Sequence, residues 1–290
     1  MFASLTLSCG PAGADAPTRL TPMVGDVSCE PTEINPHGPE RAPLAAGAAT
    51  TIAELDCLVS SCFACPRLVA WREEVARVKR AAFRDQEYWG RPVPGFGPAD
   101  ASILIVGLAP AANGGNRTGR MFTGDQSGDV LFAAMHAVGL SSGAHPVSAD
   151  DGITLRGTRL TSPVHCAPPE NKPTPGERHT CAPYLSRELE LLADTLAVIM
   201  VLGGFGWQAL FAVLADGGWR VPRPRPRFAH GAEVTLAHPD GRTVTVLGCY
   251  HVSQHNTFTG RLTPAMLEDI LRTAKSLAGS GLPDDETRAP

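Results

Sequence analysis

Four short apolar runs punctuate the chain: ILIVGLA at 103–109, TRLTSPVHC at 158–166, LAVIMVLG at 196–203 and TVTVLGCY at 243–250. Such runs suit strands buried on both faces, as in a parallel sheet. Stretches with apolar residues at helical spacing separate them: DVLFAAMHAVGL, PYLSRELELLADT and WQALFAVLA. Further helices are predicted at either end. Thr51 and Glu54 have the spacing of a capping box, and Ile52, Leu55 and Val59 follow on one face. Pro66 opens a second helix, PRLVAWREEVARVKRAAF. Its apolar stripe is Leu68, Val75, Val78 and Ala82, with Arg72, Glu73, Arg77 and Lys79 mostly outside it. Thr263 caps the last helix, with Pro264 in its first turn and Leu267, Ile270, Leu271 and Ala274 facing inward. PDGR at 239–242 reads as a turn pairing the last strand with an antiparallel neighbour. Strand and helix alternate, so the fold class is α/β with a mostly parallel sheet.

A chain of 290 residues can bury one large core or two small ones. Residues 1–50 hold seven prolines and no hydrophobic periodicity, so they read as a disordered leader; 51–279 is the folded domain and 280–290 a frayed tail. No apolar run is long enough to span a bilayer, and the N-terminus lacks a signal-peptide pattern, which points to the cytoplasm. The net charge of −4 speaks against coating nucleic acid by bulk attraction, but the leader distorts it. Beyond residue 50 there are 23 basic and 24 acidic residues, and a near-neutral body can carry a local basic face. The one dense basic run is Arg220, Arg223, Arg225 and Arg227 in WRVPRPRPRF, kept extended by prolines. It reads equally as a DNA-skirting segment or as a solvated loop.

The polar, glycine-rich segments follow the C-terminal ends of the predicted strands, the edge at which open α/β sheets place their ligand crevice. GLAPAANGGNRTGRMFTGD is neither a P-loop nor a dinucleotide fingerprint. Taken alone it is a long turn with Asp125 as a helix cap and Phe122 as a core residue, yet loops this long are usually functional. HVSQHNTFTGRLT crowds His251, Ser253, Gln254, His255, Asn256, Thr257 and Arg261 between a buried strand and a capped helix.

Eight cysteines in a cytoplasmic chain argue for ligands or reactive thiols before disulfides. Cys62 and Cys65 form a CxxC pair, while Cys166 and Cys181 stand fifteen positions apart. One pair and two singles could hold zinc or an iron–sulfur cluster, and fit a cluster better than a zinc ribbon. Cys57-x4-Cys62-x2-Cys65 also matches plant-type ferredoxin spacing, without that family's glycine-rich context. Cys249, inside a strand, reads as a small core residue.

Together the two loops, CPRLVAWRE and CAPPENKPTP resemble the uracil-DNA glycosylase superfamily, family 5 (the B type), in order from about Leu55 to Leu277. The resemblance implies a three-layer α/β/α sandwich, a [4Fe-4S] cluster on Cys62, Cys65, Cys166 and Cys181, and release of uracil from DNA. It extends the range to bases such as hypoxanthine and ethenocytosine. Leu108 and Ala109 stand where other branches carry a polar catalytic residue, a family 5 character; Asn113 stands where many relatives have histidine.

Base removal needs a donor to the departing base and a group that stabilises the sugar cation or orients water. His251 is the candidate donor to uracil O2, Asp125 the water or cation partner, and Asn171 with the backbone near Ser162 would read the base edge. Phe122 would stack on the base, with Ala109 and Asn116 beside it. Arg117, Ser253, Gln254, His255, Asn256, Thr257 and Arg261 would meet DNA. Neither loop contains lysine, so Schiff-base lyase chemistry is not expected and a monofunctional glycosylase follows; a monomer is expected. An electron carrier, favoured by cysteine spacing alone, and a non-catalytic DNA-binding module remain as other classes.

Overall fold

The computed structural model describes residues 41–279. In chain order the elements are α1 (Arg41–Ala48), α2 (Ile52–Ser60), α3 (Pro66–Val78), β1 (Ile103–Val106), α4 (Gly115–Thr118), α5 (Gln126–Ala137) and β2 (Thr158–Thr161). There follow α6 (Pro175–Leu191), β3 (Val198–Leu202), α7 (Gly204–Asp216), β4 (Glu233–Ala237), β5 (Thr243–Cys249), α8 (Gln254–Phe258) and α9 (Pro264–Ala278). The strands form one sheet in the order β2-β1-β3-β5-β4. Only the edge strand β4 is antiparallel, and it joins β5 through the PDGR turn.

Alternate strand residues point to opposite faces, and both faces are covered. Ile103, Ile105, Val198 and Met200 pack with Leu131, Phe132 and Met135 of α5 and Leu267, Ile270 and Leu271 of α9. Leu104, Val106, Ile199 and Val201 pack with Leu185 and Leu189 of α6 and Trp207, Leu210 and Phe211 of α7. Burial on both faces explains why these strands read as unbroken apolar runs. The expected three-layer sandwich is what forms.

Three expectations change. Helix α1 lies inside the segment read as a leader, so the packed chain begins ahead of Thr51. Ala46 and Ala49 are buried with Leu55, Val59 and Tyr184, and the Arg187 guanidinium donates to the Ala49 carbonyl at 2.7 and 2.9 Å. A face made of alanines packs closely but has no large apolar residues to reveal a period. The rest of the leader and the tail lie outside the described residues. In α2, the Thr51 hydroxyl accepts from the Glu54 N–H as a cap should, but the Glu54 carboxylate accepts from the Thr50 N–H and hydroxyl, at 2.6 and 2.7 Å.

The third change matters most for the site. Helix α3 ends at Val78 with Lys79 left-handed (φ 57°), well short of Phe83. Its buried residues are Leu68 and Arg72, while Val78 is 61% exposed. The helix presents Leu68 to Val164 and Cys166 beyond the end of β2. The buried stripe is therefore decided by that corner and not by apolar periodicity. Arg159 of β2, fully buried, fixes the same corner by pairing with Asp56 of α2 at 2.6 Å and Glu188 of α6 at 2.5 Å.

Candidate active site and cysteine centre

The β1 loop, 107–125, is built on its glycines. The Phe122 ring lies against Gly107, where a Cβ would stand 2.6 Å from Cζ. Phe122 itself holds a left-handed backbone (φ 50°), a strained state for an aromatic residue. Asp125 caps α5: its Oδ1 accepts from the Gly128 N–H at 3.0 Å, and a Cβ on Gly114 would collide with its other oxygen. Burial raises the Asp125 pKa, against the lowering effect of the Gly128 and Ser127 amides. The loop is then locked from beneath. Arg120, buried, makes a bidentate pair with Asp151 at 2.7 and 2.5 Å and donates to the Thr123 hydroxyl at 2.9 Å. Burial alone would raise the Asp151 pKa, but Arg120 and the amides of Ile153 and Val147 hold it at about 2.

The β5 loop is built differently. His251 follows the strand half-buried, and a Cβ on Gly203 would come within 3.2 Å of the His251 Cβ. Gly203 holds φ 89°, so glycine is required there for both reasons. Burial pushes the His251 pKa down to about 4, so the imidazole is neutral at physiological pH. Its carbonyl accepts from the Asn256 side chain at 2.8 Å. Beyond it, Gln254, His255 and Arg261 are exposed, and the Arg261 guanidinium lies 4.5 Å from the Tyr250 ring centre. The two loops meet through the start of α7: a Cβ on Gly206 would stand 2.7 Å from the Gly107 carbonyl oxygen.

Several sequence-predicted residues occupy places other than those expected. Asn116 is fully buried and donates to the Arg72 carbonyl at 3.2 Å, which keeps it from a substrate crevice. The Arg117 guanidinium is taken up by the Asn113 carbonyl, Gln86 and the Gly124 carbonyl at 2.8, 2.6 and 2.8 Å, so it braces the loop and has no free face for phosphate. Asn256 supports His251, and the Thr257 hydroxyl bonds back to the Ser253 and Gln254 carbonyls at 3.3 Å. Ser253 caps α8 with its side chain free of the cap bond. Ser162 is buried and donates to the Val164 carbonyl at 2.9 Å, while half-buried Ala109 packs on the cysteine corner. Asn171 is exposed at φ 56°, beside Glu170 at φ 54°, on a strained turn after β2. Sequence reasoning missed Phe258, 72% exposed at the end of α8. An aromatic residue inside an otherwise polar loop was the available signal.

Cys62, Cys65, Cys166 and Cys181 line one cavity with Arg72, His165 and Tyr184. Cys65 is the residue before α3, and α6 brings Cys181; the bidentate Arg67–Glu177 bonds, both 2.8 Å, join these helices. Arg72 is fully buried. Its Nη1 donates to the Cys166 sulfur and the Cys62 carbonyl, each at 3.0 Å, while Nε and Nη2 have no hydrogen-bond partner. The carboxylate paired with it, on half-exposed Glu73, stands 3.9 Å from Nη2. Burial raises the Cys65 pKa to about 12, with help from the neighbouring thiols, and the Cys166 pKa to about 11 despite Arg72. Among the described residues, no three of His, Cys, Asp and Glu are grouped to hold a single metal ion.

This architecture has known relatives. The profile of the uracil DNA glycosylase superfamily matches residues 94–275. A type-5 uracil-DNA glycosylase of Mycobacterium bovis is 56% identical over 234 residues, covering 81% of this chain and 84% of its own length. The type-5 enzyme of Thermus thermophilus is 50% identical, covering 76% of this chain and 95% of its own. That of Pyrobaculum aerophilum is 42% identical, covering 76% and 90%. The sheet order, the two loops at its C-terminal edge and these matches agree: the chain belongs to the uracil-DNA glycosylase superfamily, in its type-5 branch.

Proposed function

We propose that this chain excises uracil from DNA, hydrolysing the N-glycosidic bond to leave free base and an abasic site. The observation that carries the reading is His251, a neutral, half-buried imidazole at the sheet edge inside a loop of exposed polar residues. Extruding a nucleotide costs a few kcal/mol. Phe258 fills the gap left in the stack, the role of an apolar wedge. Gln254, His255, Ser253 and Arg261 face the DNA around it. Phe122 stacks on the extruded base, and the free amide of Asn171 reads its edge.

As the bond to the base breaks, negative charge gathers on O2 and positive charge on the sugar. The His251 N–H donates to the oxygen, and a neutral donor keeps its proton throughout. The Asp125 carboxylate stabilises the sugar cation or aligns water for attack on C1′. No lysine is present in the β1 or β5 loop, so water is the nucleophile and the enzyme is monofunctional. We extend the range to hypoxanthine and ethenocytosine, and place the protein in the cytoplasm as a monomer.

We also assign a [4Fe-4S] cluster to Cys62, Cys65, Cys166 and Cys181. Arg72 supports it: two nitrogens of this buried guanidinium make no hydrogen bond and the nearest carboxylate, on exposed Glu73, stands 3.9 Å away, so a closer anion is favoured, and a cube held by four thiolates is one. That all four cysteines line one cavity supports it too. When bound, the group supplies a crosslink between the α2–α3 junction, the end of β2 and α6. Bond cleavage belongs to the sheet edge.

Two measurements test this. Purified protein should release free base from uracil-containing duplexes, and a panel with hypoxanthine and ethenocytosine defines the range. No release by protein with its full iron content would overturn the reading. Anaerobically purified protein should be brown and contain iron and sulfide, and Cys166→Ser should bleach it. Stoichiometric zinc without iron would overturn the cluster.

A further inference from the structure

The arginine run at 220–227 plays no part in the chemistry above, yet the fold gives it a definite course. At its start the Arg220 N–H bonds the Ala237 carbonyl at 2.9 Å, and Ala237 pairs with Thr243, the first residue of β5. Just beyond its end the Gly231 N–H bonds the Gly248 carbonyl at 2.8 Å, near the last residue of β5. Thr243 and Cys249 lie about 20 Å apart at 3.3 Å per residue. The run therefore climbs the full height of the sheet, from the edge opposite the site to the edge that carries His251.

It is held as a strap. The extended course expected of its prolines is interrupted by a bend at Arg223 and Pro224, and beyond it the Trp207 indole N–H donates to the Pro226 carbonyl at 2.8 Å. At the upper end Phe228 packs edge-on against Trp207 and Tyr250, with ring centres 5.8 and 6.3 Å apart. His230 stacks on Tyr250 at 5.0 Å, and Arg261 of the β5 loop lies over the same ring. The strap and the active-site loop thus share one aromatic anchor.

All four arginines are exposed, and among the described residues none makes an ion pair or side-chain hydrogen bond. Arg77, Arg187, Arg242 and Arg272 each hold a carboxylate; exposed Arg80 and Arg84 do not, but they stand singly and form no row. Long cationic side chains on a braced backbone, without internal partners, suit a row of phosphates.

We infer that Arg223, Arg225 and Arg227 form a ledge that grips the phosphate backbone of DNA flanking the extruded nucleotide. Arg220, at the far end of the strap, takes no part. The inference rests on DNA being the substrate, and it adds a binding surface outside the β1 and β5 loops.

The test is equilibrium binding to a duplex carrying a tetrahydrofuran abasic analogue, which cannot be turned over, measured from 50 to 200 mM salt. The proteins are wild type, R220Q and the triple variant R223Q/R225Q/R227Q. Each phosphate contact contributes about 0.9 to the slope of log K against log salt. The triple variant should therefore lose affinity and show a slope shallower by up to about 2.7, while R220Q follows wild type. An unchanged slope in the triple variant overturns the ledge. So does an R220Q loss equal to one third of the triple effect, because that pattern reflects net charge without position. Uracil release by wild type, measured alongside, reports separately on the excision reading.

Discussion

The loops after β1 and β5 leave the same edge of one sheet, and both are long and polar, yet they use their polar groups in opposite ways. In the β1 loop Arg117, Arg120, Asn116 and Thr123 all bond inward, and even Asp125 caps a helix. In the β5 loop Gln254, His255, Phe258 and Arg261 stand exposed, while Asn256, Thr257 and Thr259 turn back on the chain. In the proposed reading one loop is a rigid wall for a base, held by buried charge. The other is a working surface whose rigidity comes from the strand before it and the helix after it. Polar composition alone does not separate a brace from a contact; burial and partner count do.

The largest effect should come from breaking the wall. Arg120→Met removes the buried charge that pairs with Asp151 and leaves its carboxylate to backbone amides, those of Val147 and Ile153 among them, and breaking a buried pair typically costs about 3–5 kcal/mol. Chemical denaturation should show that loss, with base release falling as the β1 loop loosens. A variant as stable as wild type would mean that the pair does not hold the loop.

His251→Ala should cost somewhat less, and in a different currency. Losing one transition-state donor slows chemistry about a hundred- to a thousandfold, roughly 2.7–4 kcal/mol. Single-turnover release should fall while duplex binding and melting temperature stay near wild type. Loss of binding as well would make His251 structural, like the residues of the other loop.

Asp125 belongs to both categories, and one pair of variants separates them. Asparagine caps helices about as well as aspartate, whereas alanine costs about 1 kcal/mol of stability. Asp125→Asn should therefore keep the melting temperature and still slow base release. Asp125→Ala should lower both. If Asp125→Asn releases uracil at the wild-type rate, the residue is a cap and nothing more.

Phe258→Ala should have a smaller effect, about 1 kcal/mol, confined to duplex substrates because a single strand has no gap to hold open. Equal slowing on both substrates would argue against a wedge.

The smallest effect is in the pH profile. A histidine whose folded pKa is depressed gives stability that is present above its unfolded value near 6.5 and lost as pH falls toward its folded value near 4. The His251 proton should therefore leave no inflection in base release between pH 8 and 6, with a decline setting in below about pH 5. An inflection near 6.5 would show that the imidazole is not shielded as its burial requires.

The joining of the CxxC pair to Cys166 and Cys181 came from the family resemblance, whereas the α/β alternation, the four parallel strands, the β4–β5 turn and the pair itself were all legible in the sequence. Their signals are local: apolar runs, caps, turn residues and spacing. Asp125 as a cap and His251 after the last strand were legible for the same reason. The packing of α1 was not, because alanines carry no period, and Arg72 was misplaced because an arginine in an apolar helix ordinarily faces water. Its burial depends on Cys62 and Cys166, which are 10 and 94 residues away along the chain. The same holds for Asn116 and Arg117, whose partners Arg72 and Gln86 come from earlier elements. Which residues can form strands and helices is settled by neighbours a few positions away. Which polar groups face a substrate is settled only when distant segments have claimed the others, since a donor already bonded inside the protein has nothing left to offer DNA.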